Sequence, residues 1–311
     1  MIVRDRPSGL RLFFVVRGSI VPKIAPQIFA TMLVALVVAY FHGVFFTKDL
    51  TFTATPFTIM GLALSIFLGF RNGAAYDRFW EGRRLWGDLL IASRTLSRQV
   101  LTLIREPGAP ASAPTARQRQ MIYKAIAFAH ALRHLLRGTD PAPDLAPLLD
   151  PADLRLVLAS VNPPQALLRS LGRDLGEAIT RGAVPDQLAA SVDTTLDNMD
   201  RVLAGCERLR STPIPFSYTL LLHRTAYLYC FLLPFGLVDT VGMATPIVVG
   251  LVSYTFFGLD ALGDEIEEPF GTLPNDLPLA AISRTIEINL REALGEPDLP
   301  RPLEPVDYCL L

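Results

Sequence analysis

His130 and His134 stand at i, i+4, the spacing at which a helix presents two imidazoles to one zinc ion. Metalloprotease chemistry needs a glutamate directly after the first histidine, and Ala131 stands there instead, so the pair reads as two histidines on a helix surface. Asp264, Glu265, Glu267 and Glu268 offer carboxylates to a cation. On a helix these four point several ways, the pattern of a solvated face with arginine partners rather than a closed oxygen cage. Cys206, Cys230 and Cys309 are odd in number and share no motif spacing, so neither a disulfide framework nor a CxxC site is expected. GxSxG and glycine-rich phosphate loops are absent. No catalytic residue, metal or cofactor is predicted, and an enzyme is disfavoured.

The remaining candidates lie in apolar stretches. Arg224 is the only formal charge between Ser211 and Val238. A charge inside a membrane helix is functional by default, but the helix start set by Pro213 and Pro215 leaves Arg224 within about three turns of an interface, where it can snorkel or pair. Leu62, Ile66 and Phe70 recur every fourth residue, within about 80° of one another on a helix. Gly61, Ala63, Ser65 and Gly69 between them permit close helix approach. By periodicity such a stripe is lipid-facing or core; in a ring of identical subunits it lines an axis and makes an apolar constriction. Asp77 follows seven residues after Phe70, on nearly the same face.

The elements that carry these residues are membrane helices. The chain is 50% hydrophobic and 19% charged, with a mean hydropathy of +0.35, too apolar for an ordinary soluble domain. Ile24–Phe46, Leu50–Phe70 and Thr240–Leu259 carry no Lys, Arg, Asp or Glu over 23, 21 and 20 residues. Each is long enough to cross a bilayer, and with Ser211–Val238 they make four spans. The first run is too long, and starts too far in, to be a cleaved signal peptide. Beyond Phe70, helix-compatible sequence continues without proline to Leu103, about 70 Å of helix at ~1.5 Å per residue. One helix thus starts in lipid and ends as a charged rod. Arg4, Arg6, Arg11, Arg17 and Lys23 precede the first span and Arg71, Arg78, Arg83, Arg84, Arg94 and Arg98 follow the second, against Lys48 alone between them. The positive-inside rule places both termini and the long middle segment in the cytoplasm. A net charge of −1 gives no electrostatic case for nucleic acid.

The expected organisation is a basic interfacial lead-in over 1–23, helices one and two with their extension over 24–104, a cytoplasmic helical region over 105–210, helices three and four with their extension over 211–268, and a cytoplasmic segment over 269–311. Apolar residues at 122, 125, 126, 129, 132 and 136, and again at 192, 196, 199, 202, 203 and 206, mark two amphipathic helices in the middle region. Proline-rich pieces (PGAPASAPT, TDPAPDLAP, VNPPQ) separate the helical stretches. Without strand alternation or internal repeats, the fold class is all-α.

GLALSIFLGFRNGAAYDRFWEGRRLWGDLL (Gly61–Leu90), CERLRSTPIPFSYTLLLHRTAYLYCFLLPFGLVD (Cys206–Asp239) and SYTFFGLDALGDEIEEPFGTLPNDLPL (Ser253–Leu279) resemble the bestrophin family, its bacterial branch in particular. The resemblance implies a homopentameric ion channel with an axial pore, four membrane helices per subunit and a helical cytoplasmic vestibule. It implies a pore neck at Leu62, Ile66 and Phe70, and a cytoplasmic constriction at Gln187, 31 positions before Tyr218, where the family usually has an apolar residue. Animal members carry an acidic run after PFG that forms part of a calcium clasp. Here TLPND follows, with Asp276 the one acid, so calcium gating is not expected. Isoleucine at the middle ring, as in bacterial relatives, implies a monovalent cation preference, strengthened by a carboxylate ring at Asp77. A chloride channel of the same architecture is the alternative, and a membrane-anchored scaffold or receptor subunit is the reading from another class. Expected partners are further copies of the chain, membrane lipid and small monovalent ions. The Ala, Leu, Arg and Pro content suits a bacterial inner membrane.

Overall fold

The computed structural model describes all residues except 5–8, 10, 12–13, 17, 42–43, 46–47, 50–51 and 106–112. In chain order the helices are α1 (Val21–Tyr40), α2 (Ala54–Leu103), α3 (Ala116–Arg137), α4 (Ala142–Leu145), α5 (Pro151–Leu158), α6 (Pro163–Thr180), α7 (Asp186–Ser211), α8 (Phe216–Val241), α9 (Thr245–Glu267) and α10 (Leu279–Ala293). They form two compact units, one comprising Arg4–Phe79 and Pro213–Glu268, the other Met1–Val3, Trp80–Thr212 and Pro269–Leu311. Helix α2, 50 residues long, contributes to both.

The first unit holds the apolar helices. In lipid every backbone N–H and C=O must be paired within its own segment, and α1, α2, α8 and α9 do this as helices. α1, α2 and the α8–α9 hairpin are long and apolar enough to cross a membrane. Leu64 and Leu68 of α2, Leu222, Tyr229, Cys230 and Leu233 of α8, and Val249, Phe256 and Phe257 of α9 form one core with Ile24 and Ala35 of α1. Small residues set the contact distances. A Cβ on Gly61 would lie 2.6 Å from the Tyr229 hydroxyl, and one on Gly236 would overlap the Phe57 ring. Thr31 Oγ1 donates to Ser253 Oγ at 3.0 Å, tying α1 to α9 through a buried polar pair.

The first span is shorter than its uncharged run. Helix α1 ends at Tyr40 rather than Phe46, and Val44–Phe45 pairs antiparallel with Lys48–Asp49, a short extended pairing in an otherwise helical unit. Absence of charge reports membrane affinity, not helicity, and these connector residues satisfy their backbone groups by pairing instead. His42, Arg6, Arg17 and most of the PGAPASAPT linker lie outside the described residues.

In the second unit, α6 and α10 pack on α3, and α7 packs on α6. Thr115 and Gln118 form a reciprocal capping box at the start of α3, and Gly138, at φ 65°, ends it in the left-handed conformation. Helix α6 was not anticipated; its VNPPQ start reads as a linker, but proline fits the first turn, where its missing N–H costs nothing. Asn162 caps that turn by accepting from the Gln165 amide at 3.2 Å. Buried Lys124 bridges Asp153 at 2.9 Å and Asp174 at 2.8 Å, which joins α3 to α5 and α6.

The two α3 histidines do not share a surface. His130 is buried, with Nε2 3.3 Å from the Glu287 carboxylate of α10. His134 is half-buried; its Nε2 lies 2.8 Å from the Asp144 carboxylate and 2.7 Å from the Arg133 guanidinium, and its Nδ1 2.6 Å from the Thr139 hydroxyl. Burial pushes the His134 imidazole below its ordinary value, with the Asp144 hydrogen bond opposing. Burial alone would lift the Asp144 carboxyl, but the His134 bond and the Arg133 charge outweigh it and hold it lower. A folded state that refuses the His134 proton loses stability as pH falls below about 6.5, where the unfolded chain begins to take it up. The depressed Asp144 contributes in the same direction only below about 3.8. Thermal unfolding of the detergent-purified protein between pH 7 and 5 is therefore expected to show an acid-side decline that His134→Gln flattens by up to about 1.4 kcal/mol per pH unit. An unchanged slope in the variant would remove His134 as its source.

Candidate pore-lining site

Helix α2 separates its faces sharply. Leu62, Ile66 and Phe70 are 65%, 49% and 68% exposed in the subunit, while Leu64 and Leu68, two residues away, are 2% and 0% exposed. A spacing of four keeps the exposed three on one side, and the buried pair is held by Leu222, Tyr229 and Phe257. Ser65 discharges its hydroxyl within the helix, donating to the Gly61 carbonyl at 2.7 Å, and so adds no polar group to the stripe. Asp77 is exposed two turns further on, with no hydrogen-bond or ion-pair partner among the described residues. Gln187 is exposed at the second position of α7, in the other unit.

Immediately after Phe70 the character inverts. Arg71 is completely buried, and its guanidinium meets three carboxylates of α9: Asp260 at 2.8 Å, Asp264, and Glu267 at 3.9 Å. The second oxygen of Asp260 accepts from His223 Nδ1 of α8 at 2.7 Å. One carboxylate thereby joins three membrane helices. Asn72 Nδ2 donates to the Leu259 carbonyl at 3.0 Å, and Arg78 Nε to the Glu267 carbonyl at 3.0 Å. Glu267 Oε1 in turn accepts from the Ile214 amide at 3.0 Å, just ahead of α8.

This cluster bears on the reading of the acidic run. Asp264 and Glu267 do have an arginine partner, and Asp264 and Glu268 are exposed as expected of a solvated face, but Glu265 and the arginine itself are buried. Among the described residues no group of three His, Cys, Asp or Glu side chains is arranged to hold a metal ion; the cation here is the guanidinium of Arg71. Arg71 had counted only as one of many basic residues, and Asp260 not at all. A periodicity signal existed, since 260, 264 and 267 fall on one face of a helix. Asp276 has a local task, accepting from the Leu273 amide at 2.6 Å to close the turn after Phe270.

The family model described as Bacterial/Fungal Bestrophin protein matches residues 1–292. The chain belongs to the bestrophins. The voltage-dependent anion channel-forming protein of Mesorhizobium japonicum is 46% identical over 297 residues, covering 95% of this chain and 93% of that protein. Its counterpart YneE of Escherichia coli K12 is 43% identical over 305 residues and covers 98% of both. A single-substitution variant of a bacterial bestrophin homologue from Klebsiella pneumoniae superposes with a TM-score of 0.81 at 41% identity, covering 88% of this chain and 100% of that one. As a bestrophin the chain is a helical membrane protein of a channel-forming family, and the four apolar helices are its membrane part.

Removing one member of a buried ion pair leaves an uncompensated charge and costs about 3–5 kcal/mol. Arg71→Met is therefore expected to cut the yield of folded protein and lower its unfolding temperature in detergent. Arg71→Lys rescues little, because one ammonium cannot reproduce the separate Nη1 and Nη2 contacts. A wild-type melting temperature in Arg71→Met would show that the cluster is not structural.

Proposed function

We propose that this bestrophin is a passive homopentameric ion channel with a neck formed by Leu62, Ile66 and Phe70. The observation that carries the reading is the stripe itself: three large apolar side chains left uncovered on one face of a membrane helix whose opposite face is fully packed. Five such stripes around an axis give three stacked apolar rings, which hold back ions through the cost of shedding hydration. Gln187 forms a second, cytoplasmic constriction and Asp77 a carboxylate ring beyond the neck. The excess of arginine and lysine around Lys23 and Arg71 supports termini on the cytoplasmic side of a bacterial inner membrane. A scaffold has no use for the stripe, and the relatives are named for channel formation.

Permeation follows the relatives' names, small monovalent anions. Cation preference, the expectation from Ile66 and Asp77, is the second reading, and the observation in its favour is the exposed Asp77 carboxylate, without a partner among the described residues.

Replacing Leu62, Ile66 and Phe70 together by Ala should raise single-channel conductance or open probability severalfold in planar bilayers; unaltered currents would take these residues out of the pore. Selectivity is read from reversal potentials under a tenfold NaCl gradient, where full selectivity for a monovalent ion gives about 59 mV. A potential displaced toward the chloride equilibrium is the expected outcome, with Asp77→Asn moving it further that way. Displacement toward sodium, abolished by Asp77→Asn, would establish the cation reading and leave the neck assignment standing.

A further inference from the structure

The three residues of the stripe have counterparts further along the same helix. Helix α2 runs unbroken from Ala54 to Leu103, and about 18 residues of α-helix complete five turns, so a side chain that far on regains its angular position. On that count Leu62, Ile66 and Phe70 are repeated by Trp80, Arg84 and Asp88, about 27 Å along the axis. The apolar face becomes one with an aromatic, a cationic and an acidic residue.

Arg84 is the member whose charge is left uncancelled. It is exposed and has no hydrogen-bond or ion-pair partner among the described residues. Glu81 at i−3 and Asp88 at i+4 stand where helix ion pairs form, yet neither takes it. Glu81 is bridged by Arg208 of α7, and Asp88 shares a cleft against α7 with the exposed Arg201. The Arg84 guanidinium lies instead over the Trp80 ring, its Cζ 5.8 Å from the centroid. Helix side chains lean toward the N-terminus, so a ring at i−4 lies in the direction this arginine takes without strain. An indole face restrains a guanidinium by cation–π attraction and supplies no counter-charge. Arg83 uses the same ring at 5.1 Å, but it projects about 100° away from the direction of Arg84.

We propose that Arg84 forms a cationic band on the permeation path beyond the neck and favours the passage of small anions. This rests on the proposed ring, in which Ile66 faces the axis and Arg84 shares its angle. Five guanidiniums held on indoles stay charged, are weakly hydrated and present N–H donors, so they attract an anion and repel a cation. Asp77 and Asp88 make bands of the opposite sign on either side, which confines the attraction to the Arg84 level.

The test is the reversal potential of the full chain in planar bilayers under a NaCl gradient. Arg84→Gln is expected to lower the anion-to-cation permeability ratio about threefold, and Arg84→Glu further. The direction is the same whichever ion the unmodified channel prefers. Arg83→Gln removes the same charge from the same indole off the stripe and should leave the ratio unchanged. In a Cys309→Ser background, where Cys206 and Cys230 are buried, an anionic methanethiosulfonate should alter the current of Arg84→Cys as it does that of Ile66→Cys. An unchanged ratio in Arg84→Gln, or an equal fall in Arg83→Gln, would overturn the assignment. Modification that changes Ile66→Cys but not Arg84→Cys would remove Arg84 from the path and leave the neck standing, whereas no response at either position would fail the channel reading as well.

Discussion

The membrane unit depends on one buried cation. Arg71 has no access to water, and a guanidinium in that position persists only if carboxylates surround it. They come from α9, and one of them, Asp260, also receives the His223 hydrogen bond from α8. Three helices with little intrinsic reason to choose one register in an apolar medium are thus fixed at a single polar point. Packing alone tolerates sliding, because lipid and leucine are equivalent surroundings; a charge that must meet its partners does not. Gly263 makes the approach possible, since a Cβ there would lie 3.4 Å from Arg71 Nη1 and overlap the Asn72 side chain.

The same helix uses opposite chemistry on its other side. One turn of α2 presents Ile66 and Phe70 uncovered, and the next residue is the most deeply buried charge of the unit. The apolar stripe offers an ion no ligand, whereas the cluster gathers three carboxylates on one buried guanidinium. Their proximity in sequence means that the exposed stripe is braced within a single residue of where it ends.

Much of this was legible in the residues. Uncharged runs gave the membrane helices and proline-free sequence gave the full length of α2, because backbone satisfaction in lipid leaves few alternatives. The stripe at 62, 66 and 70 was visible as spacing, though only the exposure contrast with Leu64 and Leu68 separates it from core. What failed was the assignment of polar residues to water. His130, Glu265 and Arg71 are all buried, each in a setting made by residues distant in sequence. A charge names no partner until tertiary structure supplies one. The end of α1 and the start of α6 were missed for a different reason: apolar composition and proline each fit two local structures, and pairing or capping decides between them.

The absence of any break in α2 between Ala54 and Leu103 has a mechanical consequence. In a rigid helix the angular phase of every side chain is shared, so Leu62, Ile66 and Phe70 cannot turn separately. Rotation enough to withdraw one of these side chains withdraws all three. Arg71 sets the zero of that rotation, since each successive residue advances about 100° and its guanidinium is clamped on α9. The helix behaves as a shaft with a key one residue beyond the last of the three: its resting angle is set by ionic contacts, while what that angle exposes is oil.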